Sequence, residues 1–150
     1  MGEMTIRPFR KSDLKDVEEI TYRTGDFGED LTGKGFFEDS RLFFYIYIYY
    51  YTVFAPEHFF VAIASPDNGQ NKTETLAGFI CGTTDSDNFE KHAINKIRYR
   101  LYLRAFFYTF WKYPASFREF RYIMSRRKKE IREGFMIHLA AQYPAHLHMN

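Results

Sequence analysis

Thirteen consecutive residues, Leu42 to Phe54, carry no charge and include eight aromatic side chains. Such a run has to be buried, and it dictates much of what the rest of the chain can be. It is short of the ~20 residues that span a bilayer. Tyr-Ile-Tyr-Ile-Tyr-Tyr-Tyr alternates and has strand propensity, so local rules favour β structure. The length of the segment from Phe36, with Glu38, Asp39 and Arg41 at its start, suits a helix better. Its aromatics belong to a core or to an interface.

One hundred and fifty residues suffice for one domain with a real core. A single cysteine, Cys81, excludes an internal disulfide and fits a reducing compartment. No signal-type segment opens the chain, so the expectation is a soluble, cytoplasmic protein. Charge is uneven. Between Asp87 and Glu133 stand 13 Lys/Arg against 5 Asp/Glu, and elsewhere 8 against 14. A basic block thus sits on an acidic frame, and its bland reading is the solvated face of surface helices.

Met4 to Phe9 alternates as a first strand. Ser12 is an N-cap candidate, with Asp13 in the first turn. Leu14, Val17 and Ile20 then stripe a helix to about Arg23, which Gly25 can terminate. Thr24 to Gly33 has three glycines and three acidic residues and reads as a structured loop. Gly33-Lys-Gly35 is no phosphate loop, since no strand precedes it and no GK[ST] follows. His58 to Ala64 and Leu76 to Thr83 form a hairpin, expected to be buried on both faces. Cys81 within it reads as a small core residue rather than a nucleophile.

Phe89 to about Lys112 is a long helix with Ile94, Ile97, Leu101, Ala105 and Tyr108 inward. Lys96, Arg100 and Arg104 form a like-charge ladder, repulsive unless an anion or acid answers it. Tyr113-Pro114 breaks the pattern. Ser116 caps a second helix with Phe117, Phe120, Met124 and Ile131 inward, up to Gly134. Tyr143 to Met149 alternates as a last strand, with His146 and His148 on one face and Leu147 on the other. The two histidines have no third ligand at a useful spacing, so no metal site is expected. No Ser elbow, catalytic Cys motif or Rossmann fingerprint is present, nor an RNA-recognition signature.

The opening strand with Arg-Lys-Ser-Asp-Leu, the loop at 24–33, Ala-Pro-Glu-His-Phe-Phe-Val-Ala at 55–62, Cys-Gly-Thr-Thr-Asp-Ser at 81–86, the helical pair and the final Tyr-Pro-Ala-His-Leu-His together resemble the GNAT acyltransferases. The likeness is to the branch of bacterial acetyltransferases and the acetyltransferase-like domain of O-GlcNAc hydrolases, and it covers nearly the whole chain. It implies an α+β fold, a mixed sheet flanked by helices, with the run at 36–54 as its second helix. It further implies a two-helix insertion at about 87–133 and transfer of acetyl from acetyl-CoA to an amine. By the same resemblance Asp85 is the catalytic acid residue delivered into the cleft. Asp26, Phe27, Asp30, Tyr113 and His146 fall on the acceptor side, and Leu147, His148, Met149 and Asn150 along acetyl-CoA. Asp26 and Asp30 equally fit capping of their own turns. The family follows this strand with a Gln/Arg-x-x-Gly-x-Gly/Ala loop that cradles the CoA pyrophosphate. Nothing after Asn150 supplies it, so the reading is of one incomplete domain, 1–150, with its C-terminal half missing. A non-catalytic GNAT-like binding module is the alternative. The partners expected are a small-molecule or protein amine and a second copy, joined through the final strand or the aromatic helix, with no nucleic acid and no membrane.

Overall fold

The structure is a computed structural model that describes residues 3–65, 74–84, 97–132 and 146–149, with backbone alone for residue 3 and for 127–132 and 146–149. Four strands run in the order of the chain: β1 (Glu3–Pro8), β2 (Phe59–Ser65), β3 (Thr75–Thr83) and β4 (His146–Met149). Between β1 and β2 lie α1 (Leu14–Arg23), α2 (Ser40–Tyr47) and α3 (Tyr49–Phe54). Between β3 and β4 lies a helical pair. Its first member, α4 (Arg98–Arg104), continues through a π turn (Ala105–Thr109) to a last turn at Phe110–Lys112; the second is α5 (Pro114–Arg132).

All three ladders among the described strands are antiparallel. The architecture is α+β as expected, but the parallel pairing of a mixed sheet does not occur among the described residues. Phe59, Val61 and Ile63 alternate inward on β2, and Leu76, Phe79 and Cys81 complete that face from β3. The opposite face is more open than the sequence reading expects. Phe60 shares it with Met4 and Ile6 of β1, and all three are exposed. Apolar side chains on both faces of a strand do not ensure two buried faces; only a covering layer does.

The uncharged run folds as helix, in two pieces broken at Ile48. Leu42, Phe43, Phe44, Ile46, Ile48, Tyr50 and Tyr51 are all buried in the main core. Phe43 packs edge-on to Phe37 with centroids 5.1 Å apart, and Phe59 stacks on Phe79 at 5.3 Å. Full burial of side chains such as Phe44 and Phe59 contributes about 1.5–3 kcal/mol each. This burial consumes the aromatic patch expected for self-association, leaving Tyr47 and Val53 as its exposed members.

At the first helix the caps differ from expectation. Ser12 lies inside a 3₁₀ turn at Lys11–Asp13, and Asp13 holds the N-cap position of α1 without a side-chain cap bond to that helix. The Asp13 carboxylate accepts from the Arg10 amide at 2.7 Å and from both Arg7 guanidinium nitrogens at 2.7 and 2.9 Å. Those bonds, Arg7's first, hold its carboxyl below the usual range.

The helical pair is pinned by Asp39, the buried N-cap of α2. Its carboxylate accepts from the Leu42 amide at 3.0 Å, from Arg104 Nε and Nη2 at 3.0 and 2.7 Å, and from Thr109 Oγ1 at 2.5 Å. Ser116, expected to cap its own helix, is fully buried within α5's first turn. Its Oγ instead accepts from the amides of Glu38 and Asp39 at 2.7 and 3.2 Å. Pro114 opens α5, a position where the missing N–H costs nothing. Tyr108, expected inward, is exposed, and Thr109 is buried in its place. The Phe110 amide bonds back to the Ala105 carbonyl, and this wider i→i+5 turn shifts the inward position by one residue.

Replacing Asp39 removes the acceptor for a semi-buried arginine, a hydroxyl and a helix start at once. Asp39→Ala is expected to cost about 3–5 kcal/mol in urea or thermal unfolding, as breaking a buried pair does. Arg41→Ala, which breaks an exposed pair with Glu18, should stay within about 1 kcal/mol. Equal losses for the two would refute the primacy of the Asp39 cluster.

Candidate functional site

The loop after α1 is built by close packing and by two tight turns. Gly25 lies against Leu31 and Phe43, where a Cβ would come within 2.8 Å of the Phe43 ring, so no larger residue fits without displacement. Asp26 and Glu29 exchange both backbone hydrogen bonds, at 3.1 and 2.9 Å. Phe27 and Gly28 between them both have positive φ, 52° and 95°, the pattern of a primed hairpin turn. For phenylalanine that region is rare, and Phe27 stands fully exposed at the tip.

The acids of the loop are engaged from within. Lys34 Nζ lies 2.5 Å from Asp26 Oδ2 and 2.7 Å from Glu29 Oε2. Those two bonds raise the lysine's pKa, the Asp26 bond first. Asp30 Oδ1 accepts from the Thr32 amide at 2.8 Å, and its bonds to Thr32 hold its carboxyl below the usual range. Turn-capping therefore describes Asp30, while Asp26 grips a cation that the loop itself supplies. The sequence excludes a phosphate loop at Gly33-Lys-Gly35 and by itself gives Lys34 no role. One lysine beside three loop acids was the signal that placed it.

Beside the loop a groove of about 740 Å³ runs between α1 and the start of α2, lined by Glu18, Glu19, Tyr22, Arg23, Glu38 and Arg41 among others. Tyr22 donates to the Phe37 carbonyl at 2.8 Å. Burial raises the Tyr22 pKa first, and Asp30, Glu38 and Tyr113 add to it, so its hydroxyl lies in the field of both the loop and the helical pair. Tyr113 sits at the break between α4 and α5, its ring 5.3 Å from Lys112 Nζ and 6.0 Å from the Tyr108 ring. Lys112 in turn hydrogen-bonds Tyr108 Oη at 2.9 Å, which lowers the Tyr108 pKa. Asp26, Phe27 and Asp30 thus lie on the loop, and Tyr113 on the helical pair.

The sheet supplies a second region. β4 pairs with β3 as Thr83↔His146, Gly82↔Leu147, Cys81↔His148 and Ile80↔Met149. The end of β3 and the start of β4 are therefore side by side. The side chains of His146, Leu147, His148 and Met149, and all of Asp85 and Asn150, lie outside the described residues. Among the described residues β4 pairs with β3 alone and forms that edge of the sheet. Among them, too, no three His, Cys, Asp or Glu side chains are grouped to hold a metal ion.

No protein-family model matches the chain, and no curated protein does. Among solved structures the crystal structure of SsHAT matches with a TM-score of 0.70 and 24% identity, over 99% of this chain and 66% of that one. At that identity the likeness shows the fold alone, which this chain shares with SsHAT. The chain spans about two thirds of the length of SsHAT.

Cys81 is fully buried in β3, and burial pushes its thiol up to about 12 from 9.0. The folded state therefore favours the neutral thiol. The stability this lends is present below pH 9.0 and is lost as pH rises toward about 12. In the native protein, disulfide-exchange labelling of Cys81 is expected to proceed only at the rate of unfolding across pH 7–9. Labelling that rises tenfold per pH unit without unfolding would make Cys81 an accessible, reactive thiol.

Proposed function

We propose that residues 1–150 form the acceptor side and one wall of the acetyl-CoA cleft of a GNAT-type N-acetyltransferase. The observation that carries the reading is the likeness to SsHAT along 99% of the chain, taken together with the GNAT-like motifs. In this reading a neutral acceptor amine attacks the thioester carbonyl of acetyl-CoA. The new C–N bond forms, the C–S bond breaks, and CoA leaves as thiolate and takes up a proton. Backbone N–H donors along the His146–Met149 strand polarise the carbonyl. Asp85, two residues past the end of β3, removes the amine's proton directly or through water. His146 pairs with Thr83, the last residue of β3. Asp26, Phe27, Asp30 and Tyr113 face the acceptor, which is a cationic amine that competes with Lys34 for the loop's carboxylates.

The helical pair between β3 and β4 is, in this reading, an insertion specific to one branch of the superfamily. The pyrophosphate loop belongs to the part of such a domain that these residues do not supply. A non-catalytic interaction module is the second reading, favoured by the internal pairing of Asp26 and Asp30, which leaves the loop's acids occupied.

Calorimetry and acetyl-transfer assays separate the two. The 150 residues are expected to bind acetyl-CoA with a Kd of ~100 μM or weaker, and sub-micromolar binding would place the phosphate contacts elsewhere, among the basic helices. In a complete, active domain Asp85→Asn should lower kcat/KM by about 10²-fold or more. Near-normal turnover in that variant would strip Asp85 of a catalytic role.

A further inference from the structure

Among the described residues, the helical pair carries a run of exposed apolar side chains. Tyr99, Leu103, Phe106 and Phe110 recur at four- and three-residue spacing along α4 and its continuation, and all are exposed. Phe107 and Trp111 flank that stripe at 78% and 79% exposure. Side chains as bare as Phe107 and Trp111 protrude from the helix. They form a ridge, and contiguous patches of this kind mark an interaction site. The ridge has a firm base: Phe106 and Phe110 lie edge-on to Phe117 of α5 at 6.1 and 5.0 Å, and the Asp39 cluster fixes the helix beneath it.

The charge around the ridge selects the occupant. Residues 97–126 hold seven Lys/Arg and one acid, Glu119; Arg104 turns inward to Asp39 and Arg100 bonds Tyr49, which leaves five cations. Arg118 and Arg121 border a groove of about 670 Å³ that also includes Phe110, Phe117 and Tyr122, so cations and exposed aromatics share one surface. A second copy meeting this face across a two-fold axis would set those cations against themselves, with a single acid per copy to answer them. A nucleic acid would answer the cations but leave Leu103, Phe106 and Phe107 against sugar and phosphate. A protein partner would need a depression shaped to the protruding rings. An anionic bilayer surface meets both demands: its boundary takes up aromatic rings without a preformed pocket, and its headgroups answer the arginines.

We propose that the helical pair is a peripheral docking surface for anionic membranes, with Phe106, Phe107, Phe110 and Trp111 entering the headgroup boundary and Arg118 and Arg121 contacting headgroups. No spanning segment is required, and no helix among the described residues is long and apolar enough to cross a membrane. Such docking differs from the expectation of no membrane partner, because the exposure of the ridge depends on how the helical pair packs, which local sequence patterns do not show. The inference stands apart from acetyl transfer and is tested without it.

Trp111 is the sole tryptophan and reports directly on the ridge. Phosphatidylserine-containing vesicles at low salt are expected to shift its emission to the blue and to carry the 150-residue protein in flotation, whereas pure phosphatidylcholine vesicles are not. Arg118→Gln and Arg121→Gln should each weaken partitioning about fivefold, the effect of one basic residue near an anionic surface. Phe107→Ser should weaken it too, with its melting curve showing that the fold is retained; if that variant does not fold, the arginine variants decide. Absence of any shift with anionic vesicles, equal partitioning into neutral ones, or wild-type partitioning by both arginine variants would overturn the proposal. So would a blue shift that grows with protein concentration in the absence of lipid, which would assign the ridge to a second copy.

Discussion

Everything in the helical half of this fold depends on one buried carboxylate. Asp39 sits at the start of α2, where an acid suits the helix N-terminus, and accepts from the Leu42 amide as a cap should. Its remaining lone pairs are taken by a guanidinium and a hydroxyl from a segment some 65–70 residues away in the chain. A buried carboxylate without such partners would be severely penalised, so the helix that buries it has to bring them. Ser116 closes the arrangement by holding the two amides at and before the cap. Such clusters are weak evidence for net stability, since a well-packed apolar substitute often does as well. Their contribution here is register: the helical pair can seat on α2 in one way.

That constraint also accounts for the π turn. On the inward line Ile97, Leu101 and Ala105 are buried one turn apart, and the next inward residue is Thr109. An unbroken α pattern would have offered Tyr108, whose ring cannot reach Asp39 in Thr109's place and which instead covers Arg104 from outside, 4.6 Å from its guanidinium carbon. The extra residue of the i→i+5 turn turns Thr109 inward. The like-charge ladder finds its answers in the same region. Arg104 meets Asp39, and Arg100 meets the Tyr49 hydroxyl at 2.6 Å.

Legibility in the sequence followed the range of the interaction. β1, α1 and the hairpin were readable because alternation and the Leu14–Val17–Ile20 stripe are local signals, and the structure places them within a residue or two. The uncharged run was ambiguous because Tyr-Ile alternation satisfies period two while its burial in all directions satisfies a core helix. Ser12 and Ser116 were misassigned for one reason: a serine before an apolar stripe is a cap by local rules, but Asp13 took the first site and the distant Asp39 claimed the second. In the loop, Asp30 obeyed its local turn, whereas the pairing of Asp26 with Lys34 rested on a residue set aside for want of a phosphate motif. The region around Thr83 and His146 was legible as topology, since the pairing of β3 with β4 juxtaposes the two segments that carry the family likeness.

The helical pair departs from the usual amphipathic arrangement by carrying large apolar side chains on its outward side as well as its inward one. Its inward side carries Ile97, Leu101, Ala105 and Phe120 together with Thr109, Ser116 and the Arg104–Asp39 pair, whereas its outward side carries Phe106, Phe107, Phe110 and Trp111. A surface helix ordinarily faces its apolar stripe to the core. The Asp39 clamp adds hydrogen bonds to the core packing of Ile97, Leu101 and Phe120, and that anchorage is separate from the outward rings. The same division removes the aromatic run at Leu42–Phe54 from consideration as a docking surface, since those rings fill the core that α4 closes. Exposed rings on a mobile helix would collapse onto the nearest apolar surface. On a helix locked by Asp39 they stay presented, and the basic residues beside them decide what they meet.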